Sequence, residues 1–151
     1  MASIEERLAR LEAIEEIKAL KAHYCALCDA DYDPDGLAAL FLPDGIWDGG
    51  PFGRHEGREA IRTFFKGISG NIRFAAHLVL NPIIEVQSAD AATGKWRLIM
   101  PYTLSTAGGA LEARWLLSAY DEVYARYDGA WLFRSLHLTV NFYAPYLKGW
   151  A

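Results

Sequence analysis

The chain's sequence predicts an α+β domain on three observations. Helical periodicity fills residues 4–66, alternating periodicity takes over from residue 71, and turn signals punctuate the alternating part at hairpin intervals. Helices gathered ahead of consecutive hairpins imply an antiparallel sheet that curls one apolar face around them and leaves a pocket between the two layers. With 151 residues the chain suits a single domain, 1–151, large enough to bury a core.

The first helix starts at Ser3-Ile4-Glu5-Glu6, which has the spacing of a capping box. Leu8, Leu11, Ile14, Ile17, Leu20, Tyr24 and Leu27 then recur at three- and four-residue steps. The pattern predicts about seven turns with one buried stripe. Asp33-Pro34 restarts the chain with a cap residue and a proline at the first helical position, and Leu37 to Leu42 is expected to form a second helix. Pro43-Asp44-Gly45 turns the chain into a short strand at Ile46-Trp47-Asp48, and residues 57–66 form a third helix with Ile61, Phe64 and Phe65 inward. Four long strands follow near 72–87, 92–105, 111–127 and 130–143, joined at Ser88-Ala89-Asp90, Ala107-Gly108-Gly109 and Asp128-Gly129.

Charge and composition exclude several classes. A formal net charge of −4, with Lys and Arg spread along the chain, argues against a nucleic-acid surface. No apolar stretch reaches the roughly 20 residues of a membrane span. The charged start of the chain is unlike a signal peptide, and Cys25 and Cys28 on one helix are poorly placed to bond each other; a reducing cytoplasm is the expected location. The two cysteines are expected to pack as small hydrophobes, with no metal site and no cofactor. A small, weakly polar molecule is the expected partner.

Two residues stand out chemically. An acid in the last helical turn faces the negative end of the macrodipole, so Asp29 does not serve the helix's own stability. His77 lies alone in an apolar strand-like run. Gripped through one ring N–H by Asp29, a neutral imidazole would keep a fixed tautomer and a raised proton affinity, leaving its other nitrogen as a base. A hydrogen-bonded core histidine is the plain alternative. Tyr24 precedes Asp29 by five residues, about 140° around the helix, and reaches the same cavity only if the helix end meets the pocket edge-on. It could donate to a substrate carbonyl, or be a core aromatic. Asp31, Asp33 and Asp35 are expected to solvate and cap the second helix. On the last strand Leu132, Arg134, Leu136, Leu138, Val140 and Phe142 form one face by alternation, so Leu136, Phe142 and, from the first strand, Trp47 are expected at the pocket. Arg134 either enters the pocket or reaches its rim. The aromatic surplus points to a cavity lining or a subunit interface, hence a homodimer or homotrimer.

The order of motifs carries a resemblance: Y-x-x-x-x-D-x-D, L-F-x-x-D-x-x-W, G-R-E-A-I, a strand with one histidine followed by N-P-x-I-x-V, and D-E-V-Y-x-R-Y-D-G-A-W-x-F. It resembles the SnoaL-like family of the nuclear-transport-factor-like (cystatin-like) α+β cone fold over almost the whole chain. The Asp29/His77 arrangement and the ending N-F-Y-A-P are closest in motif to scytalone dehydratase, bile acid 7α-dehydratase and hexachlorocyclohexane dehydrochlorinase. The resemblance implies a curved sheet around the N-terminal helices with an apolar pocket inside the cone. It also implies a cofactor-free lyase that uses an Asp-His dyad on a hydrophobic cyclic substrate, with Tyr24 in the position that is tyrosine in the bile acid enzyme. The arginine that the dehydrochlorinase carries on the last strand would fall near Leu136, leaving Arg134 as its nearest substitute. Isomerases, cyclases, dioxygenase small subunits and plain binding modules share the fold, so the two motif residues carry the enzyme reading.

Overall fold

A computed structural model describes residues 1–148 as helices α1 (Ile4–Asp29), α2 (Pro34–Ala39) and α3 (Arg58–Ile68) set against a curved sheet. Its strands are β1 (Phe41–Asp48), β2 (Arg54–Glu56), β3 (Ile72–Ala75), β4 (Leu78–Val86), β5 (Ala91–Ser105), β6 (Leu111–Tyr127) and β7 (Ala130–Pro145). Short 3₁₀ turns occupy Gly50–Phe52 and Tyr146–Lys148. The strands run β2-β1-β7-β6-β5-β3, with β4 also paired to β5. This is the expected α+β cone, with one difference: β1 lies parallel to β7, so the sheet is mixed. No helix among the described residues is long and apolar enough to cross a membrane.

Local chemistry accounts for the frame. The capping box forms as read, with Ser3 Oγ accepting from the Glu6 N–H at 3.1 Å and Glu6 Oε2 accepting from the Ser3 N–H at 2.7 Å. The buried stripe of α1 starts only at Ala13 and continues through Ile17, Leu20, Tyr24 and Cys28; Leu8 and Leu11 are exposed. Asp33 occupies the cap of α2, yet its side chain makes no cap bond. The second helix stops at Ala39, and Phe41 and Leu42 belong to β1. The Pro43-Asp44-Gly45 turn falls inside that strand as an irregularity between Phe41 and Ile46.

Three irregularities in the sheet matter for the site. The strand expected over 72–87 breaks at Ala76-His77, and its halves β3 and β4 pair with successive stretches of β5. On β7 the register shifts between Phe133 and Ser135 and again between Val140 and Phe142, leaving Arg134 and Asn141 as single extra residues. Each bulge inverts the alternation. Trp131 and Phe133 therefore face inward before the first bulge, Leu136 and Leu138 after it, and Phe142 shares the outer face with its register partner Leu117. The core fills the concave side between sheet and helices, centred on Ile17, Leu37, Phe41, Ile61, Phe65, Tyr124 and Phe133.

Candidate active site

A cavity of about 320 Å³ opens between α1, α3 and the concave face of the sheet. Its walls are Trp47, Phe64, Phe65, Leu98, Met100, Leu116 and Leu138, and Phe52, 42% exposed, stands at its edge. The polar atoms that reach it belong to Tyr24, Tyr32, Tyr102, Tyr120, Asn71 and His77. Apolar walls with a few converging polar groups are what a small-molecule site requires.

His77 sits where β3 gives way to β4. The break frees its backbone N–H from the ladder, and Asp29 takes both that group and the ring. Asp29 accepts the His77 N–H at 3.0 and 3.1 Å through its two oxygens, and His77 Nδ1 lies 2.6 Å from Asp29 Oδ1. The imidazole is 6% exposed and the carboxylate 34%, so water reaches Asp29 from behind while the ring faces the cavity. On its outer side Asp29 borders a separate polar depression, together with Asp31 and Arg73. With Nδ1 committed to the carboxylate, Nε2 is the nitrogen left for chemistry.

The helix geometry that set Tyr24 and Asp29 about 140° apart is satisfied by this division. Tyr24 points into the cavity, whereas Asp29 stands behind His77 and touches the cavity only through it. Trp47 Nε1 donates to the Tyr24 hydroxyl at 2.9 Å, and the same hydroxyl lies within hydrogen-bond reach of the Cys28 thiol. Burial pushes the Tyr24 phenol well above its ordinary value, keeping its proton in place.

The expected contributors on β7 fare differently. Arg134, the extra residue of the first bulge, is exposed, and it neither enters the cavity nor borders it. Leu136 is fully buried in the core beside Glu122 and is not part of the cavity wall; Leu138, one inward position further, is. Phe142 lies on the outer face. Asp31 does not cap α2 but binds the loop after α3, accepting from the Gly70 N–H at 2.9 Å and from Ser69 Oγ at 3.2 Å. Cys25 and Cys28 are buried thiols, and burial pushes Cys25 up to about 11 and Cys28 upward as well, so neither is a nucleophile near neutral pH.

Sequence reading missed a second acid–base pair behind the cavity wall. Lys21 on α1 donates to Glu122 on β6, both side chains at 0% exposure. Its ammonium sits 3.2 Å from the centre of the Tyr120 ring and 4.9 Å from that of Tyr24, both cavity-lining. Glu122 also accepts from the Tyr124 hydroxyl, which in turn accepts from Trp96 Nε1 at 3.0 Å. The signal was present in the spacing: Lys21 falls on the stripe of Ile17, Leu20, Tyr24 and Cys28, and Glu122 alternates with Tyr120 and Tyr124.

Comparisons with known proteins agree with this architecture. Residues 9–137 match the SnoaL-like domain. No curated protein sequence matches the chain. Among solved structures, a candidate scytalone dehydratase from Novosphingobium aromaticivorans is 22% identical with a TM-score of 0.82, covering 95% of this chain and 93% of that one. A hexachlorocyclohexane dehydrochlorinase from Novosphingobium barchaimii is 22% identical with a TM-score of 0.81, covering 95% and 96%. A protein of unknown function from Mycobacterium tuberculosis is 26% identical with a TM-score of 0.75, covering 93% and 77%.

Proposed function

Starting from a chain that belongs to the SnoaL-like domain family, we propose that it is a lyase that needs no cofactor and acts on a hydrophobic cyclic substrate. The observation that carries the reading is the His77 imidazole, held through Nδ1 by Asp29 at 2.6 Å and turned toward an apolar cavity. In this reading Nε2 removes a proton from a ring carbon. Asp29 stabilises the imidazolium that results and keeps the ring from turning. Tyr24, its oxygen already accepting from Trp47, donates to the carbonyl or leaving oxygen, and a donor polarised in this way is strengthened in a low-dielectric site. The leaving group departs as water or halide, or, in the isomerase variant, the proton returns at another carbon. Among the described residues the cavity wall carries no Asp, Glu, Lys or Arg side chain, which suits a neutral substrate.

The test begins with a panel of cyclic hydroxy-ketones, steroid-like alcohols and halogenated rings, followed by mass spectrometry for loss of water or HCl. His77→Gln and His77→Ala should lower turnover by at least about 10²-fold with the fold retained, since general base catalysis is typically worth about 10² to 10⁴. Tyr24→Phe should cost less, as it removes one hydrogen bond and keeps the ring. A fully active His77→Gln protein sinks the mechanism.

Self-association belongs to the same reading. Phe74, Leu78, Leu80 and Ile83 lie 49–59% exposed on the outer face of the β3–β4–β5 edge, an apolar surface that a homodimer or homotrimer would cover. Light scattering should give a multiple of the 16.9 kDa chain at micromolar concentration, and a monomer mass refutes the assembly.

A further inference from the structure

The chain leaves α1 through two consecutive non-glycine residues in the left-handed region, Asp31 at φ 63° and Tyr32 at φ 54°. Glycine is the usual residue at such a helix end, and a bulky side chain there is a strained outlier. The turn does close the helix. The Ala30, Tyr32 and Asp33 N–H groups donate to the carbonyls of Ala26, Cys28 and Leu27 at 3.0, 3.2 and 3.3 Å. Glycine at position 32 would make the same bonds without the strain, so the tyrosine itself requires a reason.

Its surroundings supply one. Asp31 ties the turn to Ser69 and Gly70, and the Tyr32 ring lies flat against Phe65, with centres 6.1 Å apart and planes at 18°. The same ring meets the His77 imidazole edge to face, at 5.9 Å and 76°. Tyr32 is 7% exposed and lines the cavity. Its hydroxyl has no hydrogen-bond partner among the described residues and is not sealed from solvent, and the residue borders both the cavity and the outer depression beside Asp29. Tyr24, by comparison, already has Trp47 on its oxygen. Burial pushes the Tyr32 phenol upward, so it remains a donor.

We propose that Tyr32 is a substrate-binding residue whose hydroxyl donates to a substrate oxygen beside the carbon that His77 deprotonates, and that the strained Asp31-Tyr32 turn serves to aim it. The proposal rests on the reading of His77 as the base and narrows the substrate to a ring with a carbonyl or hydroxyl oxygen next to the acidic C–H. A halogenated hydrocarbon would leave this donor unpaired, and a site built to hydrogen-bond an oxygen discriminates strongly against an analogue that lacks it.

The test uses two bicyclic probes of one shape, 1-tetralone and tetralin, which differ by a carbonyl against a methylene. Calorimetry should find the ketone bound at least about tenfold more tightly by the wild-type protein, the worth of one buried hydrogen bond. In Tyr32→Phe, which keeps both ring contacts and should melt with the wild type, that ratio should fall toward one while tetralin affinity holds. Exchange of the 1-tetralone α-protons in D₂O, followed by NMR, reports separately on the base. His77→Gln abolishes exchange if the base reading holds, whatever Tyr32 does. A ketone preference unchanged in Tyr32→Phe, one lost only in Tyr24→Phe, or a wild-type protein that binds the two probes equally or binds neither, overturns the proposal.

Discussion

Two of the charged side chains that helix α1 carries to the sheet stand eight residues apart, about 12 Å along its axis. Asp29 reaches His77 and Lys21 reaches Glu122. Both are acid–base pairs between the same helix and the same sheet, yet their surroundings differ. The Asp29 carboxylate is 34% exposed and its histidine faces the cavity, whereas the Lys21 and Glu122 side chains are at 0%. A proton donor or acceptor is useful only where a reactant can meet it. Under the proposed function the open pair is the one placed to exchange protons with a ligand, and the sealed pair holds its neighbours in place.

The sharpest way to break this comparison is to neutralise the sealed pair. Lys21→Met leaves Glu122 buried without its cation and should cost about 3–5 kcal/mol of unfolding free energy, measured by urea titration. Lys21→Met combined with Glu122→Gln should recover most of that loss, with turnover per folded molecule close to wild type. Turnover that collapses in the well-folded double variant would make the sealed pair part of the chemistry and end the distinction.

Asp29→Asn sharpens it from the other side. An amide cannot stabilise an imidazolium by charge, so turnover should fall by about tenfold or more. The amide also accepts the His77 N–H more weakly, and stability should drop by about 1–2 kcal/mol in the same variant, read as a lower midpoint in thermal melting. Full activity in Asp29→Asn would reduce the open pair to the status of the sealed one.

The mildest probe is alkaline pH. Burial holds the phenols of Tyr24, Tyr120 and Tyr124, around the sealed pair, above their ordinary values. The folded protein therefore keeps protons that the unfolded chain loses near pH 10, so the phenols' contribution to stability is complete below about that pH and is lost as pH rises past it. The buried thiols of Cys25 and Cys28 begin the decline earlier, from about pH 8.5. Circular dichroism across pH 8 to 11 should follow this loss; a midpoint of unfolding that stays constant to pH 11 would contradict it.

How much of this was legible follows from which signals are local. Asp29 is visible because its charge opposes the helix dipole, and His77 because it stands alone in an apolar run. The fold class follows from a change of period. The contribution of β7 was misread because single-residue bulges at Arg134 and Asn141 invert the alternation, and neither residue type announces a bulge. Lys21 and Glu122 are 101 positions apart; the local spacing sets each on an inward stripe, but only the fold shows that the two meet. The parallel pairing of β1 with β7 is equally non-local. Tyr32 escaped notice because tyrosine carries no preference for the left-handed conformation it adopts.

The position of Trp47 has a practical consequence. Its indole forms part of the cavity wall, packs 4.4 Å from the Phe64 ring and is hydrogen-bonded to Tyr24. Trp96, Trp115 and Trp131 do not border that cavity. A molecule settling inside would change the polarity around one indole and leave these others in their own environments, so the protein carries its own optical gauge of occupancy. Compound libraries could be screened by ultraviolet emission alone, before any reaction product is known, with Trp47→Phe as the blank.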